Sequence, residues 1–353
     1  MSSIRQIAKQ AGLSVATVSR ALNNDPVVNE ATRKRVLAVA NAVRYSATIG
    51  RRSSTIVALA YVAVPFHRGG GYDSELMMGI MRGLDEQKFD VMVLNLQRDK
   101  MPNENYTQFF MRKGVRGVLL RSLSAGRPVC EQIALERFPH VVIGERFASS
   151  KVNFTYCDSY ADSRRAVEHL IDLGHKRIGF CSHDVPDQDH QDRENAYREI
   201  MNEAGLPIRE DWIVRIGADL SGGAQAFTRL VSLKEPPTAV FCADPLLTLG
   251  FLQRAHELGL HVPQEFSVVG FDDADARHMS YPIFSAVRQS AAELGYEAAL
   301  WLTRSLTGES NLSFRKVVAT SFELNATTSS PPNETVRLLP NGIRLQQKPD
   351  ARK

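Results

Sequence analysis

Long apolar runs and an export signal are both missing from this sequence of 353 residues. No stretch approaches the roughly 20 consecutive apolar residues that a membrane-spanning helix requires, and the first residues are polar with helical spacing, unlike a secretion signal. Cysteine is scarce, and Cys130, Cys157, Cys181 and Cys242 show no spacing typical of a metal site. We therefore expect a cytoplasmic protein without membrane contact, whose thiols are reduced and mostly buried.

Signatures of catalysis and of cofactor binding are also missing. The glycine-rich segment 65–72 lacks the Gly-Lys-Ser/Thr ending of a phosphate-binding loop, and no nucleophile is paired with a base at a recognisable spacing. The acidic segment 184–192 (DVPDQDHQD) contains His190 but shows no defined ligand set for a metal ion, so we interpret it as a solvated, mobile loop. The sequence predicts no enzyme, no cofactor and no metal site.

Positive charge is concentrated at the start of the chain. The first 54 residues carry nine Lys or Arg against Asp25 and Glu30, a net charge of +7. The whole chain carries +4, so the remainder carries −3. A basic head on a mildly acidic body is the charge pattern of a nucleic-acid-binding module joined to a domain of another kind.

The stretch 4–45 has the spacing of a helix-turn-helix unit. Small and apolar residues recur at helical intervals and stop at Gly12, which can adopt the left-handed conformation that ends a helix. Ser14 is a good N-cap for a second helix, Val15 to Leu22. A third helix is predicted to begin at Asn29.

The outward side of the second helix predicts contact with DNA. Its short side chains permit close approach to the major groove, and Arg20 can reach a guanine edge or a phosphate. Farther along, Arg51 and Arg52 can follow the backbone or enter a narrow minor groove. The alternative, a structural helix bundle with solvated charges, is disfavoured by the charge of +7. The predicted DNA-binding residues are Ser14, Val15, Ala16, Thr17, Ser19, Arg20, Asn29, Thr32, Arg51 and Arg52.

From Ile56 the pattern changes to alternating strands and helices, which predicts parallel sheets covered by helices. One set of strands ends at Ile143, and a second set follows Ser159 and ends with the strand 267–271. Two such lobes would enclose a cleft. Ligands in sheets of this kind bind beyond the C-terminal ends of the strands.

Several short motifs occur in a fixed order along the chain. They are Ile7-Ala8, Ala11-Gly12-Leu13-Ser14, residues 16–23 (ATVSRALN), Tyr45, residues 168–178 (EHLIDLGHKRI) and residues 267–273 (SVVGFDD). With these motifs the chain resembles the LacI/GalR family of transcription regulators, and the resemblance extends to about residue 328. It implies a small all-α helix-turn-helix headpiece followed by a two-lobed α/β periplasmic-binding-protein-like (type I) domain with parallel sheets.

The resemblance also implies an effector site in the cleft. Arg193 matches the arginine that opens the family's Arg-x-x-Gly helix, although Ala196 replaces the glycine. Carboxylates and a guanidinium can hold paired sugar hydroxyls, and the loop 217–221 lacks an aromatic residue for a flat purine. We therefore expect a sugar or a sugar derivative. The predicted effector-binding residues are Phe66, Tyr72, Asp158, Arg193, Asp244 and Asp272.

Structural alternatives stay open for most of these residues. Asp272 and Asp273 would cap the segment that follows them, and Arg193 would form a surface salt bridge. Phe66 and Tyr72 would pack beneath their own loop.

The flanks of the body depart from the family pattern. The connector is basic, shorter than usual in the family and without its minor-groove leucine, so it is either a short hinge or a flexible linker. The tail contains prolines and no heptads, which excludes a coiled coil and favours partial disorder. We divide the chain into a headpiece (1–45), a shortened hinge (46–54), an effector-binding and dimerisation domain (55–328) and a C-terminal tail (329–353).

Together these patterns predict a sequence-specific transcriptional regulator that acts as a homodimer on a palindromic double-stranded DNA operator. Repression is the commoner mode in the family, and a small-molecule effector in the cleft is expected to change DNA affinity. One alternative is a sugar-binding receptor of the periplasmic type, against which the basic head counts. Another is a regulator that has lost effector binding through the replacements at Ala196 and Ala243.

Overall fold

The structure, a computed structural model, contains a small helical head, two α/β lobes and a C-terminal hairpin. It describes residues 4–22, 25, 27–42, 55–63, 71–185, 187–309, 313–339, 342 and 344–347. Tyr45, the hinge predicted for 46–54 with Arg51 and Arg52, and Phe66 lie outside the described residues. Among the described helices, none combines the length and the apolar character that crossing a membrane requires.

The head consists of helices α1 (Ile4–Ala11), α2 (Val15–Leu22) and α3 (Glu30–Ala42). Gly12 has a φ of +62° and the Leu13 amide donates to the Ala8 carbonyl, so α1 ends where the glycine predicted. One buried apolar cluster joins the three helices and comprises Ile7, Ala8, Ala11, Val18, Ala21, Val28, Val36 and Ala40. The apolar residues that recur at helical intervals in the sequence therefore form the buried faces of these helices.

The first lobe is built around a parallel sheet of six strands. These are β1 (Ile56–Val62), β2 (Asp90–Asn95), β3 (Gly117–Ser122), β4 (His140–Ile143), β5 (Phe154–Asp158) and β11 (Arg315–Ala319), in the order β11-β5-β4-β3-β1-β2. Its helices are α4 (Gly71–Asp85), α5 (Leu96–Asp99), α6 (Tyr106–Arg112), α7 (Arg127–Leu135) and α12 (Ala291–Thr307). Helices α4 and α12 cover one face and α6 and α7 the other, so the inner strands are apolar on both sides.

The second lobe repeats this plan with a sheet in the order β12-β10-β9-β8-β6-β7. Its strands are β6 (Ile178–His183), β7 (Ile213–Ile216), β8 (Ala239–Cys242), β9 (Ser267–Asp272), β10 (Ser285–Arg288) and β12 (Ser321–Glu323). Its helices are α8 (Tyr160–Asp172), α9 (Gln188–Glu203), α10 (Leu220–Val231) and α11 (Pro245–Glu257). Helices α8 and α9 pack on one face and α10 and α11 on the other, and β12 pairs antiparallel with β10.

The chain returns to the first lobe after it has built most of the second. Following β10, helix α12 packs on α4, and β11 then adds to β5 at the edge of the first sheet before β12 joins the second sheet. The sequence pattern predicts two consecutive sets of strands, one for each lobe, and gives no indication of this return. Local periodicity identifies a strand, but it carries no information about which sheet the strand joins.

The C-terminal tail differs from the expectation of partial disorder in its described part. Strand β13 (Thr335–Leu338) pairs antiparallel with β14 (Arg344–Gln347). Val336 and Leu338 are buried in the same apolar cluster as helices α10 and α11. The hairpin therefore extends the core of the second lobe. The four cysteines are buried and free, as the sequence predicted.

Candidate functional site

The start of α2 presents the predicted DNA-binding residues together. The Ser14 hydroxyl accepts from the Thr17 amide at 3.0 Å and caps the helix as expected. Ser14, Val15, Ala16 and Arg20 are exposed, and 43% of Val15 is accessible although it is apolar. Thr17 and Ser19 are partly exposed on the same helix. A short-chained, capped helix start of this kind can enter a major groove.

The start of α3 differs slightly from the prediction. Asn29 precedes the helix instead of opening it, because its side-chain oxygen accepts from the Thr32 amide at 2.8 Å and so caps it. Both residues stay at the surface of the head. Arg33 points elsewhere, since its Nη2 donates to the carbonyls of Asp25 and Val28 at 2.9 and 3.1 Å. Arg33 thus fixes the loop between α2 and α3.

A cavity of about 520 Å³ lies between the two lobes. This volume is in the range of sites for small ligands. The first lobe contributes Gly71, Tyr72, Asp73, Arg121 and Gly144. The second lobe contributes residues at or just after the ends of β6, β7, β8, β9 and β10. The C-terminal ends of parallel strands therefore meet at the cavity, as the rule for sheets of this kind requires.

Aspartates at helix starts form much of the second-lobe wall. Asp187 caps α9 by accepting from the His190 amide at 2.8 Å, and Asp219 caps α10 by accepting from the Gly222 amide at 2.7 Å. Asp244 caps α11 through the amides of residues 246 and 247. Aspartate suits each position because it satisfies free amides and complements the helix dipole. Each of these helices directly follows a strand of the second lobe. Capping by aspartate therefore places three carboxylates at the edge of the cavity that the second lobe forms.

The first-lobe wall contains a stacked cation. The Arg121 guanidinium lies 4.5 Å from the centre of the Tyr72 ring, and its Nε donates to Asp73 at 3.2 Å. Gly71 is close to the opposite rim, because a Cβ built there would lie 2.8 Å from the Cβ of Ala274. The absence of a side chain at Gly71 thus lets the two rims approach each other.

Contacts between the lobes lie beside the cavity. Arg146, which follows β4, donates through Nη2 to Asp192 of α9 at 3.0 Å. The Tyr156 hydroxyl of β5 donates to the same carboxylate. Asp192 is buried, so these hydrogen bonds join the first lobe directly to the helix that starts at the cavity.

Three of the predicted effector residues line the cavity, namely Tyr72, Arg193 and Asp244. Asp158 does not line it: the residue is exposed, and its carboxylate accepts from the Tyr160 amide at the start of α8. Phe66 lies outside the described residues. The cavity also uses residues that the sequence analysis did not select, among them Asp73, Arg121, Asp189, Asp273 and Gln289.

Asp272 is the second predicted residue that lies outside the cavity lining, and neighbouring Asp273 lines it instead. The Asp272 carboxylate is fully buried and accepts from the Ala276 amide at 2.8 Å and from Arg277 Nη1 at 2.7 Å. This is the capping role that the sequence left open as the alternative. Side chains alternate across the end of β9, so adjacent aspartates point to different surroundings.

Arg193 is held firmly by the protein itself. It is 3% exposed and stacks on the Phe271 ring at 3.5 Å. Its Nη1 donates to the Ala243 carbonyl at 2.7 Å, and its Nη2 donates to Asp189 at 3.2 Å. The guanidinium therefore lines the cavity as a fixed group, and it does not form the surface salt bridge considered as an alternative.

The acidic segment 184–192 is not the solvated loop that we expected. Asp187 caps α9, the helix begins at Gln188, and the side chains of Asp187 and Asp189 are only 11% and 15% exposed. The sequence did contain a usable signal, because the segment follows strand β6 directly and cavity residues in this fold follow strands.

His183, Asp187 and His190 offer donor atoms that all lie within 4.8 Å of one another, a set that can hold a metal ion. The protein already uses both ring nitrogens of His190. Arg193 Nη1, which is always a donor, approaches Nε2 at 3.4 Å, so Nδ1 carries the proton that is donated to Asp187 at 2.8 Å. A guanidinium beside this ring disfavours a second cation at the same place.

Two carboxyl groups in the cavity have strongly raised pKa values. Burial is the main cause for both, and it raises the pKa of Asp273 to about 7 and that of Asp189 to about 6. Asp244 raises the pKa of Asp273 further, and Asp187 does the same for Asp189, whereas Arg193 lowers both. The arginine thus compensates only part of the negative charge.

Comparison with known proteins decides the family. Residues 3–47 match the bacterial regulatory proteins of the lacI family, and residues 167–327 match a periplasmic binding protein-like domain. The chain thus joins a lacI-family DNA-binding domain to a periplasmic-binding-like domain. The predicted resemblance and the predicted fold class are both confirmed. This lacI-family protein is a DNA-binding transcriptional regulator, with the helix-turn-helix in the head and the cavity in the periplasmic-binding-like body.

Individual relatives of this protein are named as transcriptional regulators as well. It is 27% identical over 340 residues to the HTH-type transcriptional regulator DegA of Bacillus subtilis (strain 168), covering 92% of this chain and 98% of the relative. It is 27% identical over 299 residues to the HTH-type transcriptional repressor PurR of Actinobacillus pleuropneumoniae serotype 3 (strain JL03), covering 84% and 89%. A solved complex of the transcriptional regulator CelR with cellobiose has the same fold, with a TM-score of 0.67, 24% identity, and coverage of 93% of this chain and 100% of that chain.

Proposed function

We propose that this lacI-family regulator is a dimeric repressor that binds a palindromic operator and changes its DNA affinity when a sugar-derived effector occupies the cavity. The observation that carries the proposal is the cavity between the lobes of a chain whose head exposes a capped recognition helix. The similarity to the repressor PurR and to a cellobiose-bound regulator supports the mode and the ligand class.

DNA recognition is assigned to α2. Its exposed Val15 and Ala16 suit thymine methyl groups, and Arg20 suits a guanine edge or a phosphate. The proposed contacts also include Ser14, Thr17, Ser19, Asn29 and Thr32, and from the connector Arg51 and Arg52. One headpiece reads only a few base pairs, so two headpieces in fixed register are needed for selectivity.

Exposed apolar side chains support a dimer. Tyr281 is fully exposed, and Met279 and Ile283 in the same segment are 77% and 38% exposed. On helix α4, Met78 and Met81 are 64% and 55% exposed and lie three residues apart, on one face. Large apolar side chains grouped in this way are typical of surfaces covered by a partner, and a second copy supplies the symmetry of a palindromic site.

The effector is assigned to the cavity, where Tyr72, Asp189, Asp244 and Asp273 provide acceptors around a fixed Arg193. Such an arrangement can hold hydroxyl groups in pairs. The hydrogen bonds from Arg146 and Tyr156 to Asp192 tie closure of the cavity to the orientation of the lobes. A coupling free energy of about 1 to 3 kcal/mol between cavity and head is typical of such regulation.

Operator binding tests this function. Operator sequences are first selected from a random duplex pool, and their affinity is then compared between the wild-type protein and Arg20→Ala. Loss of one base contact costs about 1 to 3 kcal/mol, or roughly 5- to 150-fold in affinity. Binding to unrelated DNA is expected to fall much less, because it depends on the total charge of the head.

Arg165→Ala is the matched control. Arg165 is 70% exposed on α8, so its removal takes away the same charge without touching the head. We expect unchanged operator affinity in this variant. If Arg20→Ala binds the selected operator as tightly as the wild type, the assignment of α2 as the recognition helix is wrong.

A further inference from the structure

Negative charge dominates the wall of the cavity. Of the described residues that line it, seven are aspartates and two are arginines. Arg121 is paired with Asp73, and Arg193 with Asp189. Five aspartates therefore face the cavity without an arginine of their own, although His190 donates a hydrogen bond to Asp187 and His183 Nε2 lies 3.8 Å from Asp184.

Three acceptor oxygens in the cavity wall have no hydrogen-bond partner among the described residues. These are Asp189 Oδ1, Asp273 Oδ1 and Gln289 Oε1, all of which are shielded from solvent. Gln289 is 7% exposed, so its carbonyl oxygen is buried without a donor. A buried acceptor without a donor costs about 1 to 3 kcal/mol, which a ligand that supplies N–H or O–H groups would recover.

Tyr72 lines the same cavity as Asp73, Asp189 and Asp273. Burial is the main cause of a raised pKa at the Tyr72 hydroxyl, but the charges of Asp189, Asp73 and Asp273 raise it as well, while Arg121 lowers it. Tyr72 and Asp73 lie on the first lobe, and Asp189 and Asp273 lie on the second. Acceptors from both lobes therefore border the cavity.

We propose that the ligand of this cavity carries a protonated amine, which Asp189 and Asp273 hold from the second lobe. Gln289 accepts a hydrogen bond from this ammonium group or from an adjacent N–H or O–H group of the ligand. The inference rests on the proposed function of the cavity as the effector site and specifies the chemistry of the effector. Neutral hydroxyl groups satisfy the acceptors but leave the charge uncompensated. An ammonium group does both, because it donates three hydrogen bonds and carries one positive charge.

The cavity volume of about 520 Å³ admits an amino sugar as well as a linear polyamine. Both present the same ammonium chemistry to Asp189 and Asp273. They differ in the hydroxyl groups, which Asp244 and Arg193 would contact only in an amino sugar. The experiment therefore includes both kinds of compound.

Matched ligand pairs test the proposal. Calorimetric titration of the purified full-length protein at neutral pH, with EDTA present to exclude metal ions, compares glucosamine, galactosamine and mannosamine with glucose, galactose and mannose. Putrescine and spermidine form the polyamine arm. We expect at least one amine to bind about tenfold or more tightly than its neutral counterpart, or, for a polyamine, than any neutral sugar.

Isosteric variants locate the ammonium. Asp189→Asn and Asp273→Asn keep the shape of the side chain and remove its charge, so each is expected to reduce the affinity for the amine about tenfold or more. Asp172→Asn is the control, because Asp172 is exposed on α8 and outside the cavity. Thermal melting without ligand checks that each variant is folded, and the ligand pairs test the wild-type protein independently of any variant.

Each outcome has a defined meaning. The proposal is overturned if no amine binds, if a neutral sugar binds as tightly as its amine, or if the preference for the amine survives in both asparagine variants. A neutral sugar that binds and alters operator affinity would overturn the proposal while leaving the proposed function intact. Polyamine binding without amino-sugar binding would support the ammonium site and remove the sugar from the proposed function.

Discussion

The head and the cavity place their functional side chains in opposite ways. In the head, the described residues that we propose for DNA binding lie at the starts of α2 and α3 and along α2, are exposed or partly exposed, and include a single long cation, Arg20. In the cavity, the side chains come from both lobes and from segments as distant as Tyr72 and Gln289, and several are buried charges. The head is thus specified locally, whereas the cavity is specified by the topology of two sheets.

This difference determines how each site responds to mutation. A residue of the exposed helix face can be replaced with little effect on folding, because it contacts solvent in the free protein. A carboxylate near the cavity is either part of the structure or part of the ligand site, and neighbours in sequence can belong to different classes. Asp272 and Asp273 are the clearest pair, since one is bonded to Arg277 and the other has an unpartnered oxygen.

The largest effect is expected when Asp272 is replaced by alanine. Its buried carboxylate compensates Arg277, whose side chain is 8% exposed, and it also accepts from backbone amides. Arg277 keeps its ion pairs with Asp275 and Glu323, so the loss comes mainly from the buried amides of residues 276 and 277, and each amide left without an acceptor costs about 1 to 3 kcal/mol. Urea denaturation should therefore show a strongly reduced free energy of unfolding, whereas the control Asp273→Ala should lose no stability, because an oxygen of the Asp273 carboxylate is buried without a partner. Equal losses in the two variants would show that Asp273 is structural as well.

Local signals explain why the head was predicted well. Gly12 ends α1, Ser14 caps α2, and the bounds of α2 are those read from the sequence. Each of these decisions depends on residues within one helical turn. The start of α3 was misplaced by one residue because Asn29 is equally compatible with a cap and a first helical position.

The cavity was predicted only in part because its residues depend on distant contacts. The rule that ligands bind beyond strand ends selected Asp244 correctly as a cavity residue, but it could not distinguish Asp272 from Asp273. That choice depends on the position of Arg277, five residues farther on. Arg121 was missed for a similar reason, because nothing near it in the sequence indicates that it stacks on Tyr72.

An intermediate effect is expected from the pH dependence of stability. Burial raises the pKa of Asp273 to about 7, above the pKa of about 4 for an unfolded aspartate. Between these two pH values the folded protein therefore binds more protons than the unfolded protein does. The contribution of this group is fully present at about pH 4 and is lost as the pH rises to about 7. Asp273→Asn should therefore flatten the decline and raise stability at pH 7 by on the order of 1 to 3 kcal/mol.

The measurement is the free energy of unfolding from urea titrations at several pH values between about 4 and 8. Asp172→Asn serves as the control, because Asp172 is exposed and its replacement should leave the slope unchanged. If the decline with pH persists in full in Asp273→Asn, another group is responsible for it. The result would also show how much of the pH dependence comes from repulsion between the carboxylates of the cavity and how much comes from the rest of the two lobes.

The smallest effect is expected in the head, from Ser14→Ala. The Ser14 hydroxyl accepts from the Thr17 amide at 3.0 Å, and loss of such a cap costs about 1 kcal/mol. Hydrogen exchange measured by mass spectrometry should become about fivefold faster in peptides that cover α2, while the lobes exchange as in the wild type. Ser19→Ala is the matched control, because it removes the same hydroxyl from a partly exposed position within the helix. Equal rates in Ser14→Ala and the wild type would mean that packing of Val18 and Ala21 alone holds the recognition helix, and that the cap contributes only to DNA contact.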